Sequence, residues 1–327
     1  MSDRVGSDER TETADSGSTA EDGEPAWRQY FGFAEPYENQ PDAIEAALDA
    51  GRRQGYLAME GPCGTGKTMA ALTAATTLVR EDDYERVVVV TPVKQQLQQF
   101  VDDLRAADAG LDEPMDGISL VGKRDLCPYG REDVFPRDAS VHDRCEDLRD
   151  ATASLVEADG AGAETHMTPA ATAAVGGDDE DEQWWDPKRA SDLAKAARRD
   201  PEQFNTVTDD HLATAGAESP YRREQPSAPD ELHDGNNPPL YCPFEADWYA
   251  RNKGSPVDFT AGENNVLTVE EFLPEAVERG TCPHRAMGVL LGEADVVVGN
   301  YNHLFDPKSR PLLSDVLGED TFVIVDE

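Results

Sequence analysis

Eight consecutive residues limit the fold more than any other feature of the chain. Gly61-Pro62-Cys63-Gly64-Thr65-Gly66-Lys67-Thr68 satisfies the pattern G-x-x-x-x-G-K-[ST] in full. Such a loop is expected between a strand and a helix, where the backbone turns sharply and presents successive N–H groups to an anion. Both flanks read that way. Tyr56-Leu57-Ala58-Met59 predicts a short buried strand, and Thr68 to Val79, apolar and rich in Ala, predicts a helix. Gly64 and Gly66 permit backbone angles that other residues avoid, while Gly61 and Thr65 complete the loop. Lys67 is placed to reach the β- and γ-phosphates of ATP, and the Thr68 hydroxyl to ligate Mg²⁺. A chance Gly-rich turn is the poorer reading in this context. Cys63 occupies a variable position and reads as inert.

The patterning around the loop is that of an α/β sheet. Ile44, Ala47 and Leu48 fall at helical spacing within residues 41–53. Arg86-Val87-Val88-Val89-Val90-Thr91 is nearly continuous in β-branched residues, as in a parallel strand covered on both faces. Leu97, Phe100, Val101 and Leu104 then line one helical face. Thr268-Val269-Glu270-Glu271 is a capping box opening a helix to about Glu278. Residues 294–299 and 321–325 are two further β-branched strands. The order of strands and helices predicts a parallel sheet with helices on both faces. Residues 1–26 read as a disordered acidic tail. Residues of about 147–237, rich in Ala, Asp, Glu, Gly and Pro, read as a poorly ordered acidic insertion with one helix near Ser191–Arg199.

Charge bears on the choice of partner. Asp and Glu number 67 against 29 Lys and Arg, a net charge of −38, and Lys contributes only 7 of the 29. Taken alone this opposes nucleic-acid binding, which draws its affinity from cations on phosphate. Adaptation to concentrated salt, as in a haloarchaeon, accounts for it better: at about 1 M the Debye length falls to about 3 Å and carboxylate repulsion is screened. Local motifs must then decide the partner. No apolar run approaches the roughly 18 residues of a membrane helix. The first 25 residues form neither a secretory signal nor a transit peptide. The expectation is a cytoplasmic protein with no membrane partner.

Two further groups carry chemistry. Val323-Ile324-Val325-Asp326-Glu327 is an apolar strand ending in two carboxylates. Beside a phosphate loop, Asp326 reads as a second Mg²⁺ ligand and Glu327 as the group that orients or deprotonates the attacking water. Cys127, Cys145, Cys242 and Cys282 are separated by 17, 96 and 39 residues, without any C-x-x-C pair. Cys127, Cys242 and Cys282 each precede a Pro, which places them in loops, where cluster ligands often sit. Spacing alone leaves a metal site and four unrelated buried thiols as open alternatives.

Together these features resemble the N-terminal half of the XPD/DinG-type iron–sulfur helicases of superfamily 2. The phosphate loop is similar to the family's first motif. Residues 88–97, including Thr91 and Lys94, are similar to the second, which touches the DNA backbone. Gly122-Lys123-Arg124-Asp125-Leu126-Cys127 resembles the approach to the cluster domain. Cys145, Tyr241-Cys242-Pro243-Phe244 and Cys282-Pro283-His284-Arg285 resemble the remaining ligand sites. Residues 294–307 are similar to the strand and loop before the second ATPase motif. Phe33 through Gln40 resembles the adenine-recognising segment, with Gln40 as its glutamine.

The resemblance implies a RecA-like P-loop NTPase domain interrupted by an iron–sulfur cluster domain and the long acidic insertion. Residues 27–121 would be the first part of that domain, 122–290 the cluster domain and 291–327 the second part. It also implies a [4Fe–4S] cluster on Cys127, Cys145, Cys242 and Cys282, and ATP-driven 5′-to-3′ unwinding of DNA in repair. Single-stranded DNA and a duplex fork would be the partners, with Lys123 and Arg124 on phosphate or the displaced strand. Solvated surface charge is the plainer reading of that pair. The acidic stretch is long for the family. The chain ends at Asp326-Glu327, where the family continues into a second motor domain, so a truncated chain, inactive in unwinding by itself, is expected. The alternatives are a stand-alone P-loop ATPase with a structural four-Cys zinc site acting through a protein partner, and a non-enzymatic remnant. Base stacking by Trp184 and Trp185 is disfavoured by their acidic surroundings, and Asn300, Tyr301 and His303 read as packing residues.

Overall fold

Four consecutive valines set the centre of the molecule. Val87 is 1% exposed and Val88, Val89 and Val90 are 0% exposed. Such a run is compatible only with a strand flanked on both sides and covered on both faces. The computed structural model describes residues 24–131, 134–136, 139–158, 183–198, 224–233, 236–307, 309–314 and 316–326. In chain order it contains helices α1 (Gln40–Arg52) and α2 (Lys67–Arg80), strand β1 (Arg86–Thr91), helix α3 (Lys94–Asp108) and strand β2 (Gly117–Ser119). Helices α4 (Lys123–Leu126), α5 (Pro128–Arg131), α6 (Val141–Val156), α7 (Pro187–Ala196) and α8 (Pro243–Ala250) follow. The remaining elements are β3 (Val266–Leu267), α9 (Val269–Arg279), α10 (Pro283–Glu293), β4 (Val296–Asn300), α11 (Tyr301–Phe305) and β5 (Thr321–Val325).

The strands form one sheet in the order β3-β2-β4-β1-β5, and every pair in it is parallel. Val88 lies opposite Val297 on one side and Val323 on the other. Alternation divides the valines between two cores. Val87 and Val89 pack with Leu72 and Ala75 of α2 and with Phe100, Val101 and Leu104 of α3. Val88 and Val90 pack with Phe272 and Ala276 of α9 and with Ala286 and Leu290 of α10. Helix α9 starts where the capping box placed it: Thr268 N donates to Glu271 Oε2 at 2.9 Å. It stops at Gly280, whose φ of +82° favours glycine. Among the described residues no helix is long and apolar enough to cross a membrane.

The expected parallel α/β sheet is present, with three differences in detail. Residues 56–59 form no strand. No described strand pairs with them, Tyr56 is 103% exposed and Leu57 46%, and an extended segment without a hydrogen-bonded neighbour is not part of a ladder. Second, the sheet resumes well before residue 291: β3 pairs with β2, and α9 and α10 cover the sheet. Third, parts of the expected insertion at 147–237 are packed. Leu148, Leu155 and Val156 of α6, Trp185, and Ala190, Leu193 and Ala194 of α7 join Tyr241, Phe244 and Tyr249 in a separate aromatic core. Their apolar spacing of three, four and seven residues suffices to bury one helix face, whatever the charge of the other. Trp185 Nε1 donates to Tyr249 O at 2.9 Å within that core. The tail at 1–23 and residues 159–182 and 199–223 of the expected insertion lie outside the described residues.

Candidate functional site

Helix α2 packs on the face of β1, and the connection between them, residues 81–85, is short. The N-terminus of α2 therefore lies at the edge where the parallel strands end, which is where α/β sheets bind ligands. Gly64 and Gly66 in the loop before it take φ values of +77° and +78°. Gly66 carries a second constraint: a Cβ there would stand 2.0 Å from Gln40 Nε2. No side chain caps α2, so the N–H groups of its first turn are available to an anion. Lys67 Nζ folds back over the loop and donates to Gly61 O at 2.7 Å and Pro62 O at 3.2 Å. Thr65 Oγ1 donates to the same Pro62 O at 2.8 Å. Thr68, half-buried, is the second residue of α2.

Gln40, 4% exposed, joins this loop to the segment before it. Its Oε1 accepts from Tyr37 N at 2.8 Å and its Nε2 donates to Gly66 O at 2.9 Å. The glutamine expected at an adenine thus braces the phosphate loop directly. Phe33 and Tyr37 are 51% and 62% exposed beside it.

Parallel pairing brings Thr91, Asn300 and Asp326 to the same edge. Asp326 N donates to Val90 O at 2.9 Å, continuing the ladder beyond β5. Its carbonyl accepts from the Tyr301 hydroxyl. Glu327 lies outside the described residues, as does the side chain of Lys94, which opens α3. Thr91 is 0% exposed, and its hydroxyl donates to Gln96 Oε1 at 2.9 Å, so it serves the start of α3. Asn300 and His303, which read from sequence as packing residues, form a reciprocal cap on α11. Asn300 N donates to His303 Nδ1 at 3.1 Å, and Asn300 Nδ2 donates to Pro92 O at 3.2 Å. Burial lowers the His303 pKa, in keeping with a neutral ring that accepts at Nδ1.

The four cysteines converge from four elements. Cys127 closes α4, Cys145 lies in α6, and Cys242 and Cys282 stand at the heads of α8 and α10. All are free thiols near enough to perturb one another. Burial first, then Cys145, pushes the Cys127 thiol up to about 12. Cys242 is raised by burial and then by Cys282, and Cys282 by burial and then by Glu245. Among the described residues no three His, Cys, Asp or Glu side chains form a group able to hold a metal ion. Four thiols from four elements are the residue type and number that a four-thiolate group would use. Burial holds three of them, Cys127, Cys242 and Cys282, toward the neutral thiol.

Lys123 and Arg124 part company. Arg124 is exposed, whereas Lys123 is half-buried beside the cysteines, with Nζ 3.0 Å from His142 Nδ1. Burial lowers its pKa, and the Cys145 and Cys282 thiols pull the other way. Sequence reasoning also missed Arg149 and Glu245, whose side chains engage Cys282, and Arg285, whose backbone does and whose side chain binds Glu245. A signal was present: Arg149 follows Cys145 by four residues, and Glu245 and Arg285 follow Cys242 and Cys282 by three. On a helix those offsets share a face.

Known proteins agree with this geometry at the level of the motor domain. A family model described as Type III restriction enzyme, res subunit, matches residues 33–124, which include the phosphate loop. A second, described as DEAD_2, matches residues 91–327, which include the four cysteines and Asp326. No curated protein matches the chain. The two matches indicate a superfamily 2 helicase-type domain with nucleotide-binding function. Because the DEAD_2 match takes in more than two thirds of the residues, the chain belongs to that family.

Proposed function

We propose that the chain is the ATP-binding lobe of an XPD/DinG-type iron–sulfur DNA helicase, coupling ATP hydrolysis to 5′-to-3′ movement on single-stranded DNA and to duplex unwinding in repair. The observation that carries the specific reading is the convergence of Cys127, Cys145, Cys242 and Cys282 in a chain whose helix α2, packed on the parallel sheet, is headed by a phosphate loop. Lys67 would leave Gly61 O and Pro62 O for the β- and γ-phosphate oxygens. Thr68 and Asp326 would hold Mg²⁺, and Glu327 would orient the attacking water. Gln40, bonded to Gly66 O, would couple the adenine pocket to the phosphate loop, with Phe33 and Tyr37 beside the base. Lys94 and Arg124 would meet the DNA backbone. The four cysteines would hold a [4Fe–4S] group, which supplies a rigid crosslink between the helices that bear them.

The test is steady-state ATPase of the purified chain with and without single-stranded DNA, with iron and acid-labile sulfide analysis and strand displacement on 5′- and 3′-tailed duplexes. Iron with sulfide, DNA-stimulated ATPase and preference for a 5′ tail support the reading. Colourless protein with one zinc per chain and ATPase indifferent to DNA would favour a stand-alone ATPase acting through a protein partner.

A further inference from the structure

A buried ion network lies against the cysteines. Glu245 is 0% exposed, and Arg149 and Arg285 are 8% exposed each. Arg285 Nε and Nη2 donate to Glu245 Oε1 at 2.9 and 2.8 Å, and its guanidinium lies 4.4 Å from the Trp248 ring centroid. Arg149 Nε stands 3.4 Å from Glu245 Oε2, and among the described residues neither atom has a hydrogen-bond partner. Arg149 Nη2 is 3.3 Å from His284 Nδ1. A network of this kind is a poor source of stability, since apolar replacements of buried ion pairs are often neutral or favourable. Its position suggests another role. Arg149 and Glu245 both engage the Cys282 thiol, and Arg149 also attracts Cys145. Two guanidiniums against one carboxylate leave one net positive charge, and Lys123 brings a second to the same thiols.

We propose that Arg149, Glu245 and Arg285 form a fixed counter-charge for the four-cysteine site, with Arg149 as the residue that stabilises the thiolates and Glu245 and Arg285 as the residues that position it. The proposal rests on the reading of the four cysteines as ligands of one metal group. Four thiolates around a core of charge 2+ carry two net negative charges, which the triad and Lys123 balance.

Opposite charge changes give the test its direction. Arg149→Met removes a positive charge from the site, and Glu245→Gln removes a negative one. In the full chain, purified without air, metal and sulfide content are measured first, then the half-life of metal loss to a chelator. Arg149→Met should shorten that half-life about tenfold and Glu245→Gln should lengthen it, with Arg149→Lys near the parent chain. For an iron–sulfur group the reduction equilibrium supplies a second readout. It should shift about tenfold in opposite directions, about 59 mV for one electron, lower for Arg149→Met and higher for Glu245→Gln. Packing damage alone would shorten both half-lives, and that outcome overturns the proposal, as does no change in either. If Glu245→Gln does not fold, Arg149→Met against Arg149→Lys decides, because only a charge role is rescued by Lys. Zinc in place of iron and sulfide refutes the cluster while the half-life test still judges the triad. A chain that binds no metal overturns both.

Discussion

Asp108, the last residue of α3, should make the protein less stable as the pH rises toward neutrality. It is 2% exposed, and burial raises its pKa from 3.8 to about 7. The Met115 backbone and then Arg80 pull it back part of the way, and Asp295 and Asp116 add smaller pushes upward. Between those two pKa values the folded state holds a proton that the unfolded state has released, so stability falls with rising pH throughout the window. At 1.36 kcal/mol per pKa unit, the rise from 3.8 to about 7 corresponds to about 4 kcal/mol. Asp108→Asn keeps the shape and removes the ionisation. Urea unfolding followed by circular dichroism, at fixed high salt and at several pH values between 4 and 8, measures the linkage as a difference. The variant should gain about 4 kcal/mol on the parent chain between pH 4 and pH 8, and the gain should level off above 8. Taking the difference cancels carboxylates common to both chains, including Asp103, which burial also raises. A stability difference that stays constant across this range would refute the reasoning.

Four other outcomes are expected. Lys67→Ala should lower ATP turnover about 100-fold or more by removing the cation on the transferred phosphate, measured by steady-state ATPase. Gly66→Ala should abolish tight nucleotide binding, because the new Cβ meets Gln40 Nε2 at 2.0 Å, and adding Gln40→Ala should restore only part, since φ at Gly66 stays at +78°. A fluorescent ATP analogue reads both variants. On the four-cysteine reading proposed above, Cys127→Ser should abolish metal binding and destabilise α4–α8 while leaving nucleotide binding intact, by metal analysis and the same analogue. Leu193→Ala, at a side chain 0% exposed, should cost about 2–5 kcal/mol in urea unfolding, whereas a disordered insertion would tolerate it without effect.

The most regular parts of the molecule were the easiest to read. Val87–Val90 and Val296–Val298 declare a two-sided parallel sheet because few other environments bury so many consecutive β-branched side chains. The phosphate loop was legible because its chemistry is local: eight residues contain both the turn and the donors. Helix α7 overlaps the one helix expected near Ser191–Arg199, whereas α6 is hidden behind its acidic composition. The acidic residues around Leu148 and Leu155 face outward and say nothing about the buried stripe. Residues 56–59 look like a strand by composition, but a strand is made by its neighbour, which composition does not reveal. Gln40 was found, yet its bond to Gly66 O spans 26 positions and needs coordinates. The same holds for Glu245, whose two arginines arrive from α6 and α10.

The place of β1 in the sheet has a consequence for synthesis on the ribosome. Both of its neighbours, β4 and β5, are encoded more than 200 residues later, since Val87 pairs with Val296 and Phe322. At about 5–20 residues per second the valine run waits about 10–40 s for its first partner. Throughout that interval Val87–Val90 is an uncharged β-branched segment with both edges open, the kind of stretch that recruits other chains. Arg86 and the acidic stretch at Glu81, Asp82, Asp83 and Glu85 stand immediately before it. The nascent protein thus carries charged gatekeepers at the point where its folding is slowest to close.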